Sequence, residues 1–323
     1  MIVVSCFDGM SCGMIALERS GLNVTEYHAF EIDKHAIEVS NKNYPDIIHH
    51  GDINQWKKAN IDWHKVDLLI GGSPCQGFSF AGKQLAFNDP RSALFFKFVE
   101  ILGYIRLFNP NIKFLLENVK MKKDHLDIIS GTLGVDPVFI NSSLLSAQNR
   151  QRYYWCNWSV PQPEDKGIML SDILETEGVG VLKDRGSWRE SRYKANCVDA
   201  NYWKGVDNHA QRTMVSTLRE HVLSEKALSR LERKKYSKPQ LLPEKTGTLN
   251  TKNNSGQLSF DSGTTLIPFE GTLRKLTPIE CERLQTVPDG YTDHVSNTQR
   301  YKMLGNGWTV DVITHIFKEM IKQ

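Results

Sequence analysis

The feature that most restricts this chain is the order of its segments over the first 158 residues, where apolar strand-like runs alternate with helical ones. "MIVVSCF" reads as a buried strand, and the helix through "SCGMIALERSG" is ended by Gly21. "EYHAFEI" is a second strand. "DKHAIEVSNKNY" is a helix with Asp33 as its N-cap, stopped before Pro45. Further strands follow at "IIHHGDI", "VDLLIGG", "NIKFLLEN" and "PVFINSSLL", with a helix at "RSALFFKFVEILGYIRLF". Such alternation predicts an α/β fold, a mostly parallel sheet with helices on both faces, which binds ligands at the carboxyl ends of its strands.

The pattern stops near Trp158. Residues 160–270 are polar, short-run and rich in Gly, Asn, Ser and Thr, as expected of a separate, partly β module. "LRKLTPIECERLQ" resumes helical periodicity, and "GWTVDVITHIFKEMIKQ" supplies an amphipathic helix able to pack back on the first sheet. The expected division is a catalytic and cofactor-binding part over 1–160, a smaller irregular module over 161–271, and a return over 272–323 that completes the first part.

Charge is uneven. Residues 181–240 hold 14 Lys and Arg against 7 Asp and Glu, while the rest of the chain holds 26 against 30. Trp188, Tyr193, Tyr202, Trp203 and Tyr236 are interleaved with the basic residues. This is either a solvated face or a nucleic-acid surface. No apolar run reaches the roughly 18 residues of a membrane helix, and the start lacks a secretion signal, so a cytoplasmic protein is expected. The six cysteines show no CxxC pair and no zinc-type spacing, which argues against a disulfide framework and a metal site. The adjacent His49 and His50 would point to opposite faces of a strand and so do not make a metal pair.

Several residues with chemistry to offer fall at strand ends. "FDGMSCG" follows the first strand, without the G-x-G-x-x-G spacing of a pyrophosphate-binding loop. Glu31 ends the second strand, placed to accept from ribose hydroxyls, and Asp52 follows the third, placed to accept from an adenine amino group. This order favours S-adenosylmethionine over a nicotinamide cofactor. Cys75 sits in "GGSPCQGFS", where Pro74 stiffens the approach and glycines let the backbone close around a ligand. The alternative for Cys75 is a buried, inert thiol. "FLLENV" delivers Glu117 and Asn118 to the same edge. In "AQNRQRYYW", Gln148, Arg150 and Arg152 alternate and so share one face of a strand. Lys83 and Arg91 are candidates for phosphate contacts or for plain surface charge.

"FDGMSCG", "GGSPCQGFS", "LLENV", "QNRQR", "RKLTPIECERLQ" and "MLGNGWTV" resemble, in order and spacing, the motifs of the cytosine-C5 DNA methyltransferases. The resemblance covers about 1–158 and 272–323 and leaves the middle as a variable target-recognition region. "FDG" and the tryptophan of "GNGW" are closer to the animal de novo enzymes. Ser11 stands where the family's first loop usually has a second glycine.

The resemblance implies a Rossmann-like methyltransferase fold and S-adenosylmethionine as cofactor, converted to S-adenosylhomocysteine. It implies cofactor contacts from Phe7, Asp8, Gly9, Glu31, Ile32, Asp52, Ile53, Pro74, Asn306 and Trp308. Catalytic roles fall to Cys75, Glu117, Arg150 and Arg152, and substrate contacts to Ser73, Gln76, Ser79, Asn118 and Gln148. The implied substrate is double-stranded DNA with the target cytosine flipped out, without membrane or metal. The implied setting is a stand-alone enzyme of bacterial or phage type, a monomer with dimerisation left open, and with a cognate restriction endonuclease as a partner in some systems. A tRNA cytosine methyltransferase would use the same motifs. A non-catalytic DNA-binding partner would keep the fold but is expected to lose Cys75 or Glu117.

Overall fold

A computed structural model describes residues 1–74, 93–184, 187–191, 193–205, 207, 209, 211–216, 249–250, 259–260 and 273–323. The first sheet is built from β1 (Ile2–Cys6), β2 (Glu26–Phe30), β3 (Ile48–His49), β4 (Val66–Gly72), β5 (Lys113–Val119) and β6 (Val138–Asn141). After a two-residue strand β7 (Gln148–Asn149), β8 (Gln151–Cys156) completes it. The order is β3-β2-β1-β4-β5-β8-β6. The first five strands are parallel, and β8 runs antiparallel between β5 and β6. Strand order reverses between β1 and β4, so a crevice opens beyond Cys6 and Gly72.

Both faces of this sheet are buried, which is why its strands are continuously apolar. Val3, Leu68, Ile70 and Leu115 face one cluster; Val4, Leu69, Phe114 and Leu116 face another. The first cluster is closed by α1 (Cys12–Ser20) and by a helix from the C-terminal part. The second is closed by α3 (Ala93–Arg106) and α4 (Lys123–Leu133). Between them α2 (Lys34–Asn43) begins as expected, with the Asp33 carboxylate accepting from the His35 N–H. Gly21 ends α1 in the left-handed conformation at φ 82°.

The middle region adds β9 (Val179–Asp184), β10 (Ser187–Ser191), β11 (Ala195–Asn196), β12 (Met214–Ser216), β13 (Leu249–Asn250), β14 (Ser259–Phe260) and β15 (Leu273–Lys275). Six of these form a second, antiparallel sheet in the order β14-β13-β10-β9-β12-β15. Then come α5 (Pro278–Leu284), α6 (Asn297–Asn306) and α7 (Val310–Ile321). Thr277 and Glu280 form a capping box around Pro278 at the start of α5. The apolar face of α7 buries Val312, Ile313, Ile316 and Phe317, and the helix lies against α1, as its periodicity predicts.

Three expectations are corrected. Leu273–Lys275 does not open the helical return: it is the edge strand β15, paired to β12, because its helix starts only at the Thr277 cap. Gln148, Arg150 and Arg152 do not share one strand. The ladder breaks at Arg150, leaving Gln148 on β7 and Arg152 on β8. Tyr202 is not on a nucleic-acid face. It is a core residue whose hydroxyl donates to the Thr213 carbonyl and accepts from the Leu276 N–H. Tyr193 and Trp203 are exposed.

Candidate active site

The loop after β1 is wound by three left-handed residues in quick succession: Phe7 at φ 60°, Gly9 at 63° and Ser11 at 63°. The turn spends its backbone N–H groups internally, Asp8 on the Phe30 carbonyl, Gly9 on Glu31 and Ser11 on the Asp8 carbonyl, and two of the three left-handed residues carry a Cβ and so bear strain. Ser11 therefore adopts the backbone that a glycine would take freely. Its hydroxyl compensates by donating to Asp8 Oδ2 at 2.5 Å and lies 2.6 Å from Ser40 Oγ. Tyr27 donates to the other Asp8 oxygen at 2.6 Å. Burial, helped by the nearby Glu31 charge and opposed by these hydrogen bonds, pushes the Asp8 carboxyl up to about 6.

Glu31, just past β2, is fixed from two sides. Its Oε2 accepts from the Gly9 N–H at 2.8 Å, and its Oε1 accepts from the N–H groups of Ile32 and Asp33 at 2.8 Å each. The side chain of Ile32 beside it is 76% exposed, an unusual place for a large aliphatic group. Asp52 caps the short turn over Ile53–Lys58 by accepting from the Asn54 N–H and side-chain amide at 2.9 Å, while Ile53 is buried. His49 and His50 part company: His49 Nε2 meets Ser40 Oγ at 3.1 Å, and His50 Nε2 meets His28 Nδ1 at 3.0 Å. Among the described residues no group of three His, Cys, Asp or Glu is arranged to hold a metal. No described helix is long and apolar enough to cross a membrane.

On the other side of the crevice, Gly72 and Glu117 are register partners on β4 and β5. Arg152 reaches across from β8 and holds Glu117 Oε1 with its Nε at 2.8 Å, both side chains being mostly buried. Asn118 donates to Ser73 Oγ at 2.9 Å and accepts from the Val119 N–H at 2.8 Å, so it braces the chain entering Pro74. Cys75, Gln76, Ser79, Lys83 and Arg91 lie outside the described residues.

The C-terminal return closes the site. Trp308 covers Gly72 so closely that a methyl group on that glycine would lie 2.7 Å from the indole Nε1 and 3.2 Å from Glu117 Oε2. Asn306, the last residue of α6, is exposed. Arg150 donates to the carbonyls of Gly305 at 3.2 Å and Gly307 at 2.8 Å, so it holds the turn that presents Trp308 and is a positioning residue. Gln148 is likewise spent on structure. It is fully buried, with its amide donating to the Leu284 carbonyl at 2.6 Å and to Gln285 at 3.0 Å. Its amide oxygen accepts from the Val198 N–H at 3.4 Å, so both ends of the side chain have protein partners.

Sequence reading missed Cys197, which sits beside both arginines, with its Sγ 3.1 Å from Arg150 Nη1. It also missed the Asp8–Tyr27–Ser11–Ser40 network. Cys197 and the distant members of the network, Tyr27 and Ser40, carry no local signal, while Ser11 lies only three residues from Asp8.

These elements coincide with those of known proteins. The family model for C-5 cytosine-specific DNA methylase matches residues 1–322. The Type II methyltransferase M1.ScrFI of Lactococcus lactis subsp. cremoris is 31% identical over 94% of this chain and 75% of its own length. The Type II methyltransferase M.HhaI of Haemophilus parahaemolyticus is 27% identical, over 97% and 92% respectively. Among solved structures, the Entamoeba histolytica methyltransferase EhMeth superposes with a TM-score of 0.65 at 18% identity, covering 100% of this chain and 98% of its own. That last likeness speaks for the fold, and the family match speaks for the chemistry: this chain belongs to the C-5 cytosine-specific DNA methylases and is a methyltransferase.

Proposed function

We propose that this protein transfers a methyl group from S-adenosylmethionine to C5 of a flipped-out cytosine in a specific duplex DNA sequence, through a transient bond between Cys75 and C6. The observation that carries the reading is the Glu117–Arg152 pair, at 2.8 Å, set against Gly72 three residues before Cys75. A mostly buried carboxylate held by a guanidinium, so close to Cys75, supports a role in holding the base.

The first loop fits a nucleoside cofactor. Glu31 is pre-oriented by three backbone N–H groups, two on Oε1 and one on Oε2, which leaves one acceptor position on Oε2 for a ribose hydroxyl, and the exposed Ile32 offers an apolar face for adenine. Phe7, Asp8, Gly9, Asp52, Ile53, Pro74, Asn306 and Trp308 would line the same site. When bound, S-adenosylmethionine supplies an electrophilic methyl group.

Cytosine C5 is a weak nucleophile, and addition of the Cys75 thiolate to C6 makes it an enamine carbon. Glu117 accepts from the exocyclic amine with one oxygen and shares a proton with N3 through the other, which neutralises the ring as the thiolate adds, while Arg152 keeps the carboxyl group in place. Once C5 carries the methyl group, its proton leaves, the C5–C6 double bond re-forms and the Cys75 sulfur departs as thiolate. Ser73 and Asn118 hold the loop, and Gln76 and Ser79 contact the base or backbone. A stacked base cannot reach these groups, so it must be extruded.

Residues 1–160 with 272–323 form the catalytic part in this reading, and 161–271 reads DNA. Its basic excess, 14 Lys and Arg against 7 Asp and Glu over 181–240, and the exposed Tyr193 and Trp203 support that role. The cytoplasm is the expected compartment, a monomer the simplest state, and a cognate restriction endonuclease the expected partner if the chain works as its Type II relatives are named.

The test is transfer of label from methyl-tritiated S-adenosylmethionine into duplex DNA and into bulk tRNA, beside Cys75→Ala and Glu117→Gln. Label in DNA as 5-methylcytosine is expected, abolished by Cys75→Ala and reduced about 100-fold or more by Glu117→Gln. Label in tRNA alone would replace the substrate. Full activity in Cys75→Ala would overturn the covalent step.

A further inference from the structure

Arg150 is 3% exposed, and most of its guanidinium is met by neutral acceptors: the carbonyls of Val198 at 3.3 Å, Gly305 at 3.2 Å and Gly307 at 2.8 Å. Among the described residues no carboxylate forms an ion pair with it. A buried charge is costly unless something balances it, and carbonyl dipoles balance it only in part. The ionisable group that Arg150 does touch is Cys197, at 3.1 Å from Nη1, and Arg152 Nη2 approaches the same sulfur at 3.9 Å.

The placement follows from strand register. β11 pairs in parallel with β7, Ala195 against Gln148 and Asn196 against Asn149. The next residue on each side therefore falls together, which sets Cys197 beside Arg150. Burial works to raise this thiol, but the two guanidiniums outweigh it and bring it below its ordinary value. The buried cysteines go the opposite way: Cys6, Cys12, Cys156 and Cys281 are all raised by burial.

We propose that Cys197 is a positioning residue for methyl transfer: its sulfur is the counter-ion of Arg150 and a second anchor for Arg152, tying strand β11 of the recognition region to the Glu117–Arg152 pair. Docking of the middle region onto its target and orientation of the base-holding carboxylate are then mechanically linked. The proposal rests on the methyltransfer reading above, and its test separates the two.

Initial rates of methyl transfer into duplex DNA are measured for wild type and for Cys197→Ala, Cys197→Ser and Cys197→Asp, with kcat and KM resolved for each substrate. A counter-ion can be replaced by another anion but not by a neutral group of similar size. Alanine and serine are thus expected to lower kcat about tenfold with KM for S-adenosylmethionine unchanged, and aspartate to stay within about threefold of wild type. The reverse ranking, alanine and serine like wild type and aspartate worst, would identify a mere space-filler and overturn the proposal. A second measurement needs no turnover: the ultraviolet thiolate absorbance of wild type minus Cys197→Ser, titrated with pH. Thiolate present at neutral pH supports the counter-ion, and its appearance only at or above the ordinary thiol value of about 8.5 overturns it. If wild type labels neither DNA nor tRNA, the functional reading falls, and the absorbance titration still decides the Arg150–Cys197 pairing.

Discussion

Ser11 carries a conflict that single substitutions can take apart. Its left-handed backbone, φ 63°, costs an L-residue about 1 kcal/mol, while its hydroxyl serves Asp8 and Ser40. Glycine removes both the strain and the hydrogen bonds, and alanine removes only the hydrogen bonds. Denaturant unfolding should rank serine above glycine and glycine above alanine, with about 1 kcal/mol between the last two. Asp8 itself gives a pH signature. Its folded value, about 6, lies above its ordinary 3.8, so the folded state prefers the neutral carboxyl. That preference contributes stability fully below about 3.8 and loses it as pH rises through about 6. The stability of wild type minus that of Asp8→Asn should therefore fall as pH is raised across this window; a flat difference would mean that Asp8 titrates alike in the folded and unfolded chain. At this scale the sequence was partly legible. Glu31, Glu117 and Asn118 announced themselves as polar residues ending apolar strands. Asp8's partners did not, because Tyr27 and Ser40 look like ordinary strand and helix residues until the chain is folded.

Elements were legible where periodicity was long and unbroken. β1, β2, β4, β5 and α2 follow their apolar spacing and caps, and α7 its single apolar face. Periodicity carries no direction, so nothing in "QRYYWC" disclosed that β8 runs against its neighbours. Nor did it reveal that the ladder breaks at Arg150, whose backbone N–H goes to the Asn141 side chain at 3.1 Å and whose carbonyl accepts from the Ser142 N–H at 2.9 Å. "LRK" was read with the helix after it because three residues carry too little pattern to separate a strand from a helical turn. The joint between the return and the middle region is tight enough to test. A Cβ on Gly305 would lie 2.2 Å from the backbone carbon of Asp199 and 2.3 Å from the nitrogen of Ala200. Backbone cannot yield as a side-chain tip does, so Gly305→Ala should force α6 and the 199–202 turn apart. Loss of at least about 3 kcal/mol in denaturant unfolding is expected, with new protease cleavage near Tyr202. Gly103→Ala, where nothing lies within 4 Å of an added Cβ, is the control and should be neutral or mildly stabilising.

For the whole molecule, chain order and spatial order disagree: α7, the last helix, is part of the first sheet's core. Val310, Val312, Ile313, Ile316 and Phe317 are each fully buried there, in one cluster with Ile15, Leu17 and Leu68. The helix is also tied by polar contacts from two distant segments, since Asp311 accepts from Arg19 at 2.9 Å and from Lys166 at 2.8 Å. Burying one large aliphatic or aromatic side chain contributes about 1.5–3 kcal/mol, and a domain's net stability is only about 5–15 kcal/mol. Five such residues therefore account for as much as the whole margin. A chain ending at Thr309 should then fail to fold, despite keeping Cys75, Glu117, Arg150 and Arg152. It would be recovered as aggregate, or as a species without a cooperative melt. Replacing only the exposed Lys322 by alanine should leave the melt within about 0.5 kcal/mol of wild type. A soluble, cooperatively melting truncation would mean that the first sheet can close its own face. The return would then serve only to bring Asn306 and Trp308 to the site, and the middle region would be an insertion into a catalytic unit already complete without its tail.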